Sequence, residues 1–407
     1  MDRKMARPPR VCMLIESYSP IIGGMESQAR TLAMGLQTLG VPLDILTRRA
    51  VAELPVRETL DGVAVHRIGP VGTRCGGRWG MAWTALPWLV RHRRRYDVVF
   101  VPGFRTLGVT AVLARALTGK SCVLKADSRG EISGAFFAAG LKQRGWSPDA
   151  LPVRTLMGAW RRQLCRADAF VSMSSEMTDE FVQGGVAADR IETIPNAVNT
   201  HAFRPASPDE KARLRMDMGI PAHTTVYSFT GRLVDYKGLP TLLKAWARFQ
   251  AKAKQVLLLI AGGGGLDLHN CEAALRAFVV EKKLEFSVTF LGEVSDVAPV
   301  LQVSDIFVFP TEEEAFGLSL VEAMACGLPC ISTTVGGLGD IVRDGHNARA
   351  VDAGSVPDLL DALRQLHEAR SERERLARNA VALARDQYAL DRVSRQYADL
   401  FGKVCGR

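Results

Sequence analysis

Two cations in the second half of the chain have the chemistry to hold an anionic ligand. Arg232 and Lys237 lie between an apolar run that ends at Gly231 and a helical pattern that begins near Gly238. The free N–H groups and the dipole of a helix N-terminus favour anions, and two adjacent cations strengthen that field. The stretch predicts an anion site that a diphosphate would fit, although two solvated surface cations would give the same pattern.

Two acids in one apolar stretch form the second candidate feature. The segment TEEEAFGLSLVEAMACG, residues 311–327, predicts a helix from about Gly317, with Glu314 just before it and Glu322 inside it. The helical rise would separate the two carboxylates by roughly 12 Å along the axis, which argues against a shared metal site. They are expected to serve different parts of one elongated ligand.

Glu322 is the unusual acid of this segment, because Val321 and Ala323 flank it and a buried carboxylate needs partners. Glu312 and Glu313 need no such explanation. Their position just before a helix predicts simple stabilisation of the helix dipole.

Strand-like apolar runs alternate with helical patterns along both halves of the chain, which indicates βαβ units and parallel sheets. Strands are predicted at 11–16, 42–47, 63–68, 96–101, 121–127, 168–174, 190–196, 225–231, 255–265, 287–294, 305–310 and 328–334. The fold class is therefore α/β, with two doubly wound, Rossmann-like domains. We expect an acceptor-side domain over 1–205, a nucleotide-binding domain over 206–384, and a helix in 385–407 that packs back towards the first domain.

Ligands of such sheets bind outside the carboxyl ends of the strands, so a cleft between the two domains is expected. The glycine run AGGGGLD, residues 261–267, follows a strong strand and is either a ligand-binding turn or a plain loop. Asp267 occupies the position of the third glycine in a dinucleotide-binding fingerprint. A dehydrogenase is therefore disfavoured.

The composition indicates which classes of partner the chain could bind, but it does not select one of them. The 407 residues are 47% hydrophobic and 23% charged, as in folded globular proteins, and the net charge of +9 favours a phosphorylated ligand, an acidic membrane or nucleic acid. Nucleic-acid binding rests on charge alone, without a recognition motif. No apolar stretch would span a bilayer and the N-terminus lacks the apolar core of a signal peptide, so a cytoplasmic location is expected. The eight cysteines are scattered and predicted to be reduced thiols.

Taken together, these stretches resemble the retaining glycosyltransferases of family 4, which have the GT-B fold. The resemblance covers nearly the whole chain and includes SPIIGGMESQARTLAMGL, RADAFVSMSSE, RIETIPNAVNTHAFRP, GRLVDYKG, LLIAGGGG and EAFGLSLVEAMACGLPCISTTVGG. It implies transfer of a sugar from a nucleotide-diphosphate sugar to a saccharide or lipid-linked acceptor in envelope or exopolysaccharide biosynthesis, with no cofactor and no metal. A non-catalytic nucleotide-sugar-binding protein on the same fold is the alternative.

The resemblance also implies roles for individual residues. Glu322 would accept hydrogen bonds from the ribose hydroxyls, Arg232 and Lys237 would hold the diphosphate, and Glu314 would lie near the donor sugar. Arg232, Lys237 and Glu314 are thus the expected catalytic residues. Further donor contacts are expected from Gly23, Gly24, Gly262, Gly264, Glu293, Val294, Phe316, Gly317 and Leu318.

The acceptor side departs from the family pattern. Many relatives carry a histidine after the strand that here begins SCVLKADSRGEISG, where this chain has Asp127, Arg129 and Glu131. Asp127 or Glu131 could orient the acceptor. A salt bridge of either acid with Arg129 within the loop is the equally good alternative.

Two segments combine tryptophan with arginine: WGMAWTALPWLVRHRRRY, residues 79–96, and FFAAGLKQRGWSPDALPVRTLMGAWRR, residues 136–162. Such segments can lie on anionic membranes, but a helix with a packed apolar face and a solvated basic face has the same composition. The hypothesis is that the first domain docks peripherally on the inner membrane face to reach its acceptor.

Overall fold

The computed structural model describes residues 7–20, 23–72, 75–134, 147, 150–265 and 267–406, with only the backbone of 75–78. The chain forms two compact units, and the α/β prediction is confirmed. The first unit comprises Met1–Ala197 and Leu390–Arg407, and the second comprises Val198–Ala389. The first boundary therefore lies earlier than the expected residue 205.

The first unit is built on eight described strands that form one sheet in the order β3-β4-β2-β1-β5-β6-β7-β8. They are β1 Val11–Leu14, β2 Leu43–Arg48, β3 Arg57–Leu60, β4 Val63–Ile68, β5 Val98–Pro102, β6 Ser121–Lys125, β7 Ala169–Ser172 and β8 Ile191–Thr193. All pairs are parallel except β3 with β4. The sequence did not predict β3, because its alternating polar residues lack an apolar run.

Helices of the first unit follow its strands in βαβ fashion. They are α1 Gly24–Thr38, α2 Cys75–Arg91, α3 Gly108–Thr118, α4 Leu151–Leu164 and α5 Ser175–Gln183. The central strands β1 and β5 are buried along their whole length. Burial on both faces is typical of a parallel strand covered by helices, and it explains the continuous apolar runs of the sequence.

The second unit has a fully parallel sheet whose described strands follow the order β11-β10-β9-β12-β13-β14. The strands are β9 Thr225–Thr230, β10 Val256–Ala261, β11 Val288–Gly292, β12 Ile306–Phe309, β13 Cys330–Ser332 and β14 Arg349–Ala350. The helices are α6 Pro208–Asp217, α7 Leu239–Gln250, α8 Glu272–Glu281, α9 Ala298–Val303, α10 Leu318–Ala325, α11 Val356–Glu368 and α12 Arg370–Tyr388.

The C-terminal segment differs from the single helix expected in 385–407. Ala389 has extended backbone angles (φ −59°, ψ 136°), so α12 ends there and a separate helix, α13 Leu390–Cys405, begins. This last helix belongs to the core of the first unit, where Tyr397 and Phe401 make edge contacts with Phe100 at centroid distances of 5.4 and 5.5 Å. Burial of each such ring contributes about 2 kcal/mol.

Among the helices that the structure describes, none is both long enough and apolar enough to span a membrane.

Candidate active site

The turn after β9 places Lys237 against the end of β12. A 3₁₀ turn, Asp235–Lys237, leads into Gly238, which has a φ of +73° and begins α7. A Cβ at Gly238 would lie 1.8 Å from the carbonyl oxygen of Pro310, so only glycine allows this approach. The amide of Glu312 also donates to the carbonyl of Tyr236 at 2.8 Å. The predicted cationic turn and the predicted acidic segment are therefore joined through their backbones.

Lys237 and Glu314 form a partly buried ion pair at this junction. The Nζ of Lys237 lies 2.7 Å from Oε2 of Glu314, and the two side chains are only 12% and 16% exposed. The other carboxylate oxygen of Glu314 accepts hydrogen bonds from the amides of Ala315 at 3.1 Å and Phe316 at 3.4 Å. The amide of Phe316, expected to contact the ligand, is thus already engaged by Glu314.

Arg232 is the more exposed of the two cations. Its guanidinium donates to Oδ2 of Asp267 at 2.6 Å and to the hydroxyl of Tyr236 at 2.7 Å, while 59% of its side chain is exposed. The Tyr236 ring lies 5.8 Å from Arg232 Cζ and 5.7 Å from Lys237 Nζ. Sequence reasoning missed the roles of Tyr236 and Asp267. The place of Tyr236 between the two cations was the available signal.

Helix α10 begins beside Glu314. Gly317 caps it with a φ of +101°, and a Cβ there would lie 2.3 Å from the side chain of Leu338. As at any helix start, the first-turn N–H groups have no acceptor inside the helix, and Leu318 is the first residue of that turn. With Lys237 close by, this terminus suits an anion.

Glu322 lies within α10 on an otherwise apolar stretch. Val321, Ala323 and Met324 next to it are buried. Within the described ranges, no hydrogen bond or ion pair is formed by its carboxylate, and burial raises its pKa to about 8. Glu322 is nevertheless partly exposed, so a ligand can reach its unpartnered carboxyl.

The glycine-rich turn after β10 packs the ends of three strands together. A Cβ at Gly262 would lie 1.8 Å from the carbonyl oxygen of Gly231, and one at Gly264 would lie 1.9 Å from Oδ1 of Asn270. The amide of Gly262 donates to the carbonyl of Gly292 at 2.7 Å, at the end of β11. Gly262 is therefore required by backbone packing, whatever ligand it borders, whereas a Cβ at Gly264 would displace only the end of the Asn270 side chain.

Two predicted donor contacts lie just beyond the end of β11. A Cβ at Gly263 would meet the side chain of Glu293 at 2.9 Å, and Val294 packs against a small apolar core of the same unit. Glu293 therefore lies beside the glycine turn, on the same sheet edge as Arg232.

Gly23 and Gly24 lie in the first unit, at the start of α1. Gly23 has extended angles (φ −161°, ψ 171°), so its backbone does not demand glycine. A Cβ there would however lie 2.4 Å from Oε2 of Glu26, whose other oxygen accepts a hydrogen bond from Ser17. The Glu26 carboxylate beside this helix start suits a sugar hydroxyl better than a diphosphate. Of the donor groups that Gly23 and Gly24 could approach, the sugar is therefore favoured.

Glu131 does not lie where an acceptor could touch it, which corrects the sequence-based assignment. Its side chain has no exposed surface, and Oε1 accepts hydrogen bonds from the amides of Asp127 at 3.1 Å and Ser128 at 3.2 Å. In the described part of the chain, Oε2 has no hydrogen-bond partner, and burial raises the pKa of the carboxyl to about 7. Glu131 holds the loop that follows β6.

Arg129 makes neither of the loop salt bridges that the sequence suggested. It extends to α5 and pairs with Glu176 at 2.8 Å, because Glu131 is enclosed and bonded to backbone amides. Asp127 remains partly exposed and borders a crevice with Lys125, whose pKa is lowered by complete burial. Asp127 thus stays a candidate for acceptor contact, and Lys125 was missed by sequence reasoning.

Of the two basic, tryptophan-bearing segments, only the first is fully described. It spans 79–96 and covers much of α2, whereas residues 136–146 and 148–149 of the second lie outside the described residues. Of that segment, α4 is described.

Both units of the chain match models of known protein families. Residues 22–202 match the family model for glycosyltransferase family 4, and residues 210–382 match that for glycosyl transferases group 1. The D-inositol 3-phosphate glycosyltransferase of Pseudarthrobacter chlorophenolicus is 29% identical over 400 residues, covering 94% of this chain and 92% of the relative. The enzyme of the same name from Rhodococcus opacus is 28% identical, with coverages of 93% and 86%.

Solved structures show the same fold at low identity. Anabaena HepE in complex with UDP and glucose has a TM-score of 0.77 and 19% identity, covering 97% of this chain and 99% of that chain. Sucrose-phosphate synthase from Thermosynechococcus elongatus has a TM-score of 0.79 and 21% identity, with the same coverages. Since the two family models together span both units and these structures share their architecture, the chain belongs to glycosyltransferase family 4 and has the GT-B fold.

Proposed function

We propose that this chain is a retaining glycosyltransferase that moves a sugar from a nucleotide-diphosphate sugar to a saccharide or lipid-linked acceptor of envelope or exopolysaccharide biosynthesis. The observation that carries the proposal is the Lys237–Glu314 pair at the start of α10, with Arg232 on the same sheet edge. Glu322 adds a partly exposed carboxyl with a raised pKa to the same helix. UDP and glucose in HepE make a UDP-sugar the first donor to test.

The chemistry requires stabilisation of the leaving nucleotide diphosphate. Negative charge grows on this group as the glycosidic bond breaks, and Lys237, Arg232 and the α10 N-terminus can stabilise it electrostatically. We propose that this set replaces a metal ion, so that EDTA leaves the transfer rate unchanged. Loss of activity in EDTA that added Mg²⁺ or Mn²⁺ restores would contradict this part.

The departing diphosphate also determines the stereochemistry that we propose for the transfer. The acceptor hydroxyl attacks from the face that the diphosphate leaves, a phosphate oxygen takes the hydroxyl proton, and the anomeric configuration is retained. Asp127, partly exposed at the end of β6, is the residue proposed to orient the acceptor. NMR of the product's anomeric proton distinguishes retention from inversion.

The acceptor class has two candidates. Relatives covering most of this chain are named D-inositol 3-phosphate glycosyltransferase, which supports a phosphorylated polyol as the second candidate. A lipid-linked or envelope saccharide is supported by the surface of the first unit, where α3 packs against both α2 and α4. We call the exposed apolar and basic side chains on these helices and in the turn after α2 the basic apolar surface: Trp83, Leu117, Leu151, Leu156, Arg91, Arg93, Arg94, Arg154, Arg161 and Arg162.

We propose that the basic apolar surface binds the anionic inner face of the cytoplasmic membrane. Trp83 is 80% exposed, a fraction that a residue of the hydrophobic core would not have. Amphipathic segments with arginine beside tryptophan and leucine insert shallowly into anionic bilayers. The protein is accordingly proposed to be cytoplasmic and peripheral.

A donor and acceptor panel tests the function. The full chain is incubated with UDP-, GDP- and ADP-sugars and either a lipid-linked acceptor extract or an inositol phosphate, and products are identified by mass spectrometry. Transfer by the wild type, and not by the Lys237→Ala variant, is expected with one donor. Binding of the nucleotide without turnover under every condition would instead establish the non-catalytic sugar-nucleotide-binding alternative.

A further inference from the structure

We propose that Asp267 competes with the donor diphosphate for Arg232, so that donor binding exchanges the partner of this arginine. The inference rests on the proposed function, because it requires a diphosphate at the Arg232–Lys237 turn. It assigns to Asp267 the role of setting donor affinity.

The free protein already provides both cations with carboxylate partners. Arg232 donates to Oδ2 of Asp267 at 2.6 Å, and Lys237 lies 2.7 Å from Glu314. Two cations paired with two carboxylates have no net charge. An arriving diphosphate therefore meets a positive site only if at least one of the pairs opens.

The backbone fixes Asp267 in place. Its Oδ1 accepts a hydrogen bond from the amide of His269 at 3.0 Å, and the amide of Asp235 donates to the carbonyl of His269 at 3.0 Å. The amide of Cys271 donates to the carbonyl of Leu233, also at 3.0 Å. The Asp267 loop is thus bonded at two points to the turn that carries Arg232, which restrains movement of the aspartate.

Arg232 is the member of the pair that can move. Its side chain is 59% exposed, compared with 23% for Asp267. Lys237, by contrast, is 12% exposed and held by an acid that is itself bonded to two amides. The arginine therefore rotates from the carboxylate to the phosphate, while the lysine stays where it is.

Tyr236 limits how far the arginine travels. Its hydroxyl accepts from the second Arg232 nitrogen at 2.7 Å, and its ring lies under both cations. The guanidinium can keep this contact when it leaves Asp267. Removing the carboxylate thus frees the arginine without removing its remaining anchor.

The test compares Asp267→Asn with the wild type in calorimetric titrations of UDP and of inorganic pyrophosphate. Because an exposed ion pair is worth up to about 1 kcal/mol, the variant should bind both probes about threefold to fivefold more tightly. Pyrophosphate makes the result independent of the base. In the transfer assay the donor KM should fall by a similar factor while kcat stays unchanged.

Asp235→Asn is the matched control, since it removes the same charge from the turn that carries Arg232 but its carboxylate faces His269 and not Arg232. Its affinity for both probes should stay close to that of the wild type. Equal tightening in both variants would show a general charge effect and overturn the inference. Unchanged binding of the probes by Asp267→Asn would also overturn the inference. Weaker binding would overturn it as well, because it would show that Asp267 preorganises Arg232 for the ligand. A wild type that binds neither probe would refute the proposed function itself.

Discussion

Glu131 in the first unit and Glu322 in the second both have raised pKa values, yet Glu131 is enclosed and Glu322 is partly exposed. Glu131 is enclosed, and one oxygen serves two amides of its own loop. Glu322 has no partner among the described residues and lies on a helix whose start is flanked by Lys237 and Glu314. Enclosure with internal partners indicates a structural acid, whereas partial exposure without such partners beside an anion site indicates an acid available to a ligand.

The largest expected effect comes from removing Lys237, the less exposed of the two cations. Lys237→Ala should lower the transfer rate by at least about 100-fold, because it removes charge aimed at the leaving diphosphate in a partly buried site. It also leaves Glu314 without its cation. The measurement is the initial rate at saturating acceptor, with Lys237→Arg as the control that keeps the charge. A rate within about threefold of the wild type would contradict the site assignment.

The two acids themselves should respond differently to mutation. Glu322→Ala is expected to weaken UDP binding by about fivefold, since a hydrogen bond lost from the ribose contributes about 1 kcal/mol. Glu131→Gln should leave UDP affinity unchanged, because its enclosed carboxyl is bonded to the loop after β6 and paired with Arg105, both within the first unit. Calorimetric titration of both variants measures the difference. Equal losses would show that the contrast between the acids has no functional meaning.

Burial of Glu322 also predicts a pH-dependent stability effect. Its pKa is raised from 4.5 to about 8, so the folded state favours the protonated acid, and stability falls as pH rises through that range. Glu322→Gln cannot ionise, so its stability relative to the wild type should increase from pH 5 to pH 8, by about 1 kcal/mol or more. Thermal unfolding midpoints at both pH values measure this. A difference that does not change with pH would show that Glu322 is well solvated.

A smaller contrast concerns the surfaces of the two units. Arg93→Ala, on the basic apolar surface, should weaken binding to vesicles containing anionic lipid by about fivefold, since each such arginine contributes about 1 kcal/mol. Arg213→Ala removes an equally exposed arginine of the second unit and should have no effect. Flotation with and without anionic lipid provides the measurement. No flotation of the wild type in either case would remove the membrane proposal.

Much of the second unit's site could be predicted from sequence. Arg232, Lys237, Glu314 and Glu322 stand in local motifs, where a strand end, a glycine turn and a helix start specify the geometry within a few residues. The Lys237–Glu314 contact joins two such motifs, because β9 and β12 are neighbours in a parallel sheet. Local chemistry and strand order were sufficient there.

The rest depended on tertiary contacts that no local pattern contains. Glu131 was assigned to the acceptor because nothing in its neighbourhood reveals that its loop folds back over it. Asp267 was noticed only as a departure from a glycine pattern, since its arginine partner lies far away in sequence and is reached only when the ends of β9 and β10 are brought together. The break at Ala389 was also missed, because the apolar spacing of the flanking helices runs on through it.

A crystal structure of the full chain with UDP tests the central claim most directly. The account predicts the diphosphate within hydrogen-bonding distance of Lys237 Nζ and of an Arg232 that has left Asp267, with the ribose hydroxyls donating to Glu322. UDP bound elsewhere, or bound with its ribose away from Glu322, would contradict it.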